Sequence, residues 1–242
     1  PYFYYDTINL RPHLKSGRNE LRIVAHHQGR DSQSYRAGTP AILVAGGCRD
    51  GKGVFADFSD ARIWRGRPLR RYRSDAHRLF PCIGFSEHVD FSAPDAEWGD
   101  VSTVAMHPWD ERPTALARDL PDWRETVREP VSRMPERNGW LVDMGREVCG
   151  YVELGVTTGK SMSVGIAYSE ALADGRVTPE KGGMNYSDRL ELTAGETDWR
   201  SYEKRAFRFL RLDAQVGVRH LRVVENVWPY EAVWENEPVG ND

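Results

Sequence analysis

The side chains that could do chemistry in this chain are scattered acids, two adjacent histidines, three cysteines and a set of tryptophans. Glu153 and Glu170 are the pair to weigh for general acid–base work. Glu153 alternates with Val152 and Leu154, so it points away from the local core. Glu170 has the parity of Ile166 and Tyr168 and points inward, where a carboxylate needs a partner such as an arginine. A structural ion pair, or a polar contact at a domain interface, is expected of it rather than catalysis. Asp143, next to Met144-Gly145, reads as a turn-stabilising acceptor. His26 and His27 sit at a strand end, and neighbours on a strand face opposite ways, so a shared metal is not expected. Asp90, Asp95 and Asp100 lack the dense spacing of an EF-hand loop and read as a solvated loop. No Gly-x-Ser-x-Gly elbow, nucleotide-binding glycine loop or His-Glu-x-x-His helix is present. No catalytic residue, metal ligand or cofactor is assigned.

Aromatic faces are the other chemical resource, because they offer apolar area for stacking on sugars. Of the eight tryptophans, Trp64, Trp109 and Trp123 lie in loop-like or polar neighbourhoods and are the carbohydrate-binding candidates. The competing reading is packing: Trp64 at a sheet edge, all three between an arm and a domain surface.

Elements that could position these residues are short and β-like. Leu21 and Ile23 place one strand at residues 21–25, and Pro40 to Ala45 reads as another, stopped by Gly46-Gly47. Residues 60–65 are a weaker strand candidate. Prolines at 94, 108, 113, 121, 130 and 135 make residues 94–138 an ordered crossover with one or two short strands and a helical turn. Val101–Met106 is its expected strand, and residues 119–124 resemble an extended arm.

Beyond it, Val152, Leu154 and Val156 form one alternating run, and Met162, Val164, Ile166 and Tyr168 form a second. Asp174-Gly175 marks a tight turn. Arg189 to Thr193 alternates again. Phe207 and Leu210 fall out of phase, which a β-bulge explains. Leu221 to Val227 is the last strand, and a polar tail or linker runs from Glu231. Many short strands and glycine turns, with no long amphipathic helix, define an all-β chain built as a β-sandwich.

Composition sets the outer bounds. Hydrophobic residues make up 40% of 242 residues, enough for one large β domain or two ordinary ones. A net charge of -3 gives no basic face for nucleic acid. No apolar run approaches the roughly 20 residues of a membrane helix. Cys48, Cys82 and Cys149 are too few for a disulfide framework. Their odd number leans towards a reducing, cytoplasmic compartment, and one disulfide with a free thiol fits as well. The chain starts at Pro1, so the lack of a signal peptide is uninformative.

The ordered motifs Asp143-Met-Gly145, Gly150-Tyr-Val-Glu-Leu154, Tyr168-Ser-Glu-Ala-Leu172, Asp188-Arg-Leu-Glu-Leu-Thr-Ala-Gly195 and Lys204-Arg-Ala-Phe-Arg-Phe-Leu-Arg-Leu212 resemble the jelly-roll module that precedes the catalytic domain of bacterial α-L-rhamnosidases. The first segment resembles the preceding galactose-binding-like sandwich, and Asp6 to Leu21 resembles that family's short helical turn leading into a strand. The initial strands of that module would lie before Pro1, so it looks truncated, or the chain is one piece of a longer polypeptide. The resemblance implies two β-sandwich modules: residues 1–93 galactose-binding-like, 94–138 the crossover or arm, 139–230 the jelly roll, and 231–242 a tail or linker. In that family the bond is cleaved in a barrel of paired helices placed after these modules. The family is similar to inverting glycosidases, whose two carboxyls stand roughly 6.5–9.5 Å apart. Helical periodicity of that kind is absent here.

The resemblance therefore implies an accessory, non-catalytic part of a rhamnosidase-like hydrolase. Its partners would be a rhamnose-containing carbohydrate and a downstream catalytic domain or another copy of the chain. A free-standing carbohydrate-binding module and a purely structural or assembly role are the rival readings.

Overall fold

The computed structural model describes residues 2–31, 33, 37–80, 84–103, 114–118 and 123–227. Its centre is a nine-stranded sheet. The strands are β1 (His88–Asp90), β2 (Arg124–Arg128), β3 (Ser132–Glu136), β4 (Gly139–Thr158), β5 (Met162–Ser169), β6 (Ser187–Leu192), β7 (Gly195–Arg200), β8 (Arg205–Leu212) and β9 (Gly217–Val227). They run in the order β2-β9-β4-β8-β5-β6-β1, with β3 and β7 also paired to β4. Every pairing is antiparallel except β6 with β1.

β4 changes neighbours along its 20 residues. Its first part pairs with β3 and β8, its second with β9 and β7. The result is an all-β sandwich or half-barrel in which one strand serves both layers. A single core cluster gathers Val142, Met144, Val152, Leu154 and Val156 from β4 with Val164, Ile166 and Tyr168 from β5. Leu190, Phe207, Leu210, Leu212, Leu221 and Val223 complete its centre. The period-two runs therefore face inward as their spacing requires, with Met162 half-buried at the margin.

The turn at Asp174-Gly175 has φ of 49° and 74°, a pair of left-handed residues that suits a tight hairpin. The phase change in β8 is real: Phe207 and Leu210 are both buried. The irregularity lies on β4, where the register with β8 slips between Asp143 and Val148. Gly145 enables it, with φ of 79° and no room for a Cβ, which would meet Val131 at 2.8 Å.

Several local expectations are corrected. Residues 21–25 and 40–45 form no strand, and Leu21, Ile23, Ile42 and Leu43 are exposed. Alternation makes a segment amphipathic, but a strand also needs a neighbour to take its hydrogen bonds. Residues 60–65 are not one strand. Ala61–Ile63 is a 3-10 turn capped by Asp60, which accepts from the Arg62 backbone N–H, and only Arg65–Gly66 is extended. Residues 101–103 are irregular, and 104–106 lie outside the described residues. The region read as a crossover supplies β2 and β3 to the main sheet, from Arg124 onward. Of the arm, residues 119–122 lie outside the described residues, as does the tail from Glu231. Before His88, the described residues form two-stranded pairings, one of them Tyr2–Tyr5 with Thr114–Ala117, and a single bridge from Tyr72 to Val89 of β1.

Candidate functional site

β5, β6 and β8 bring Tyr168, Asp188 and Arg205 together in the core. Arg205 donates from Nε to Asp188 Oδ2 at 2.9 Å and from Nη2 to Oδ1 at 2.8 Å. Tyr168 donates its hydroxyl to Oδ2 at 2.7 Å, and the Glu87 backbone N–H donates to Oδ1 at 2.7 Å. Burial pushes the Tyr168 phenol well up. Burial disfavours the Arg205 cation, but the charge and hydrogen bonds of Asp188 outweigh it and raise its pKa further.

Glu87 stands beside this pair. Its Oε1 accepts the backbone N–H groups of Tyr202 and Glu203 at 2.8 and 2.9 Å. Its Oε2 is buried and has no hydrogen-bond partner among the described residues. Burial, and then the charge of Asp188, push its carboxyl up to about 7. A carboxyl tuned to that value suits a general acid, but this one is shut from solvent and committed to the backbone. The cluster thus clamps the segment before β1 onto the sandwich. His26 extends the clamp through an ion pair to Glu203 at 3.2 Å and a stack on the Tyr202 ring.

The other acids are also spoken for. Glu153 lies on the outer side of β4 as expected, paired with Arg222 at 2.7 Å and Arg200 at 3.3 Å. Asp143 accepts the Gly145 N–H at 2.7 Å, the turn role expected of it, and holds Arg208 at 3.0 and 3.1 Å. The Arg208 hydrogen bonds hold its carboxyl below the usual range. Glu170 is exposed, not inward, because β5 ends at Ser169 and the parity stops with it. The buried acids are Asp188, Glu87 and Glu225, the last gripped by Arg128 and Arg146. Sequence reasoning missed them, although Asp188 shares the parity of Leu190 and Arg205 that of Phe207.

Outside the clamp, a cleft of about 370 Å³ opens along β5 and β6. The paired positions Gly165↔Arg189 and Ala167↔Ser187 turn small side chains and one arginine towards it. Gly165 donates its N–H to Asp213 Oδ1 at 2.6 Å, and a Cβ there would lie 2.5 Å from Oδ2. At one end His77 Nε2 meets Asn185 O at 2.9 Å, joining the wall to the hairpin Glu180–Lys181/Met184–Asn185. Among the described residues, the side chains of Arg189 and Glu180 and the Oδ2 of Asp213 have no partner.

The tryptophan candidates are not brought together. Trp64 is half-buried, tilted on Phe58 at 6.1 Å, and donates Nε1–H to Phe58 O at 2.9 Å. Trp109 lies outside the described residues. Trp123 is 40% exposed, with Lys204 Nζ 3.8 Å from its ring centre. Lys204 also approaches the Tyr151 ring at 6.0 Å, and Arg200 covers that ring at 5.0 Å. Among the described residues, no cluster of three or more His, Cys, Asp or Glu could hold a metal, and no helix is long and apolar enough to cross a membrane. Cys48 and Cys149 are free thiols, and Cys82 lies outside the described residues.

Comparison with known proteins follows the same sheet. Residues 133–226 match the family described as bacterial alpha-L-rhamnosidase concanavalin-like domain. The alpha-L-rhamnosidase of Streptomyces avermitilis, solved with L-rhamnose, superposes with a TM-score of 0.52 at 14% identity, over 75% of this chain and 18% of that one. The native enzyme of Aspergillus terreus gives 0.47 at 14% identity, over 73% and 21%. The GH78 rhamnosidase of Bacillus sp. GL1 gives 0.34 at 18% identity, over 40% of this chain and 11% of that one. The chain thus spans only a small part of the length of these enzymes. No curated protein sequence matches it. Residues 133–226, the stretch that matches the family model, are all-β, and the described residues contain no helical barrel.

Proposed function

We propose that the chain is the accessory, non-catalytic β-sandwich portion of an α-L-rhamnosidase-like glycoside hydrolase. Its task is to brace a helical catalytic domain and to shape the approach of rhamnose-containing glycans. The family match across β3 to β9 carries this reading. The commitment of the core acids to arginines and backbone N–H groups supports it, since a hydrolase needs two free carboxyls flanking the bond. In this reading residues 1–93 belong to a preceding galactose-binding-like sandwich and 94–138 connect it to the jelly roll at 139–230, to whose sheet the connection lends β2 and β3. Residues 231–242 lead towards the catalytic part.

The test has two arms. Incubation of the purified chain with aryl α-L-rhamnoside and other aryl glycosides is expected to release no phenol. Turnover that disappears on mutating an acid of this chain would overturn the reading. The coding sequence beyond Asp242 is expected to encode paired helices. A stop codon there would favour a free-standing carbohydrate-binding module or a purely structural role.

A further inference from the structure

We infer that the cleft along β5 and β6 is a subsite for one neutral sugar residue, held by hydrogen bonds and not by ring stacking. The inference rests on the reading of the chain as a rhamnosidase-related module and gives that module a contact of its own with glycan.

Size and shape come first. The cleft measures about 370 Å³, within the roughly 300–1,000 Å³ typical of small-ligand sites. Its outward β5 and β6 positions are Gly165, Ala167, Ser187 and Arg189, so apart from the arginine little side-chain volume competes with a ligand. A Cβ at Gly165 would lie 2.5 Å from Asp213 Oδ2, so a larger residue there would displace the Asp213 carboxylate.

Hydrogen-bonding capacity comes second. Arg189 offers only donors, and ionised Asp213 and Glu180 offer only acceptors. Asp213 uses one oxygen on Gly165 N–H and has the other to spare. A sugar hydroxyl both donates and accepts, so a single ring can give hydrogens to the carboxylates and receive them from the guanidinium. Ligands that only accept would leave Asp213 and Glu180 unmet.

Charge and apolar character decide the class. The lining holds four acids, of which Asp75 and Asp188 pair with Arg73 and Arg205 and leave Glu180 and Asp213 to set against Arg189, so the cleft does not favour an anion. The remaining arginine, Arg211, is already paired with Glu136 at 3.0 Å. Among the described residues no Trp, Tyr or Phe lines the cleft, so its affinity is expected from hydrogen bonds and not from Trp64 or Trp123.

The test is a chemical-shift titration of the ¹⁵N-labelled chain with methyl α-L-rhamnoside, methyl β-D-galactoside and sodium D-galacturonate. A neutral glycoside is expected to shift the amides of Gly165, Ala167, Ser187 and Arg189, with a dissociation constant of about a millimolar. Arg189→Gln and Asp213→Asn should each weaken it about tenfold, the loss expected for one hydrogen bond to a charged group. Both side chains are exposed and the spectra report directly on folding. Trp123→Ala should change nothing. Silence at these amides with both neutral glycosides, shifts that survive both substitutions, or a clear preference for galacturonate would each overturn the inference. Those outcomes leave the accessory reading standing, whereas glycosidase turnover would strike that reading and leave the subsite in place.

Discussion

Arg205 and Asp188 meet through two parallel hydrogen bonds, with side chains 1% and 0% exposed. Removing one partner strands a buried charge, which costs about 3–5 kcal/mol. Arg205→Met should therefore lower the urea-unfolding free energy by that much. The double variant Arg205→Met/Asp188→Leu should recover part of the loss, because no charge is left behind. A single-variant cost of about 1 kcal/mol or less, typical of surface pairs, would contradict the buried-pair assignment.

Glu87 gives the chain a specific pH dependence. Its carboxyl is raised from 4.5 to about 7 by burial and by Asp188. The folded chain therefore keeps a proton that the unfolded chain releases between those values. The stabilisation is complete below 4.5 and is lost as the pH rises through about 7. Glu87→Gln retains an acceptor for the Tyr202 and Glu203 N–H groups and cannot ionise. Thermal melts should show the variant gaining on the parent between about pH 4.5 and 7 and holding that gain above 7, with the two converging in acid. A difference that stays constant with pH would refute this.

The inward face of β5 should respond by volume. Ile166 is fully buried in the central cluster, so Ile166→Ala should cost about 2–5 kcal/mol. Ser163 on the other face is exposed and bonded only to Glu191. Ser163→Ala should stay within about 0.5 kcal/mol. Equal effects in denaturant titrations would mean the face assignment is wrong.

Trp123 is the more exposed of the two described tryptophan candidates, at 40%. A sugar stacked on its ring would contribute about 1.5–3 kcal/mol at full burial, or about tenfold and more in affinity. Calorimetry with rhamnosylated oligosaccharides is expected to show no such loss in Trp123→Ala, since the described lining of the cleft along β5 and β6 contains no aromatic ring. Trp64→Ala should lower the melting temperature with no effect on affinity, since its indole N–H anchors the Phe58 carbonyl. Micromolar binding abolished by Trp123→Ala alone would favour the free-standing binding module.

The sandwich was legible wherever alternation met a pairing partner. Val152, Leu154 and Val156 alternate beside β9, and Val164, Ile166 and Tyr168 beside β6 and β8. Leu21 and Ile23 show the same alternation and remain exposed, because period two reports amphipathicity and says nothing of a neighbour. Parity also misled at Glu170, one residue past the end of β5, while the same rule applied to Asp188 and Arg205 would have found the buried pair. The cleft was beyond reach of local pattern: Gly165 and Asp213 are 48 positions apart, and only the register of β5 with β8 brings them together.

The sharing of β4 between both layers has a consequence for hydrogen exchange. Its second half is hydrogen-bonded along both edges, to β9 on one side and β7 on the other. No fraying of a single layer exposes those amides, so Leu154 and Val156 should exchange only through complete unfolding. Their exchange rates would then read out the global unfolding free energy directly, while the amides of residues 21–24 exchange almost as fast as in a free peptide.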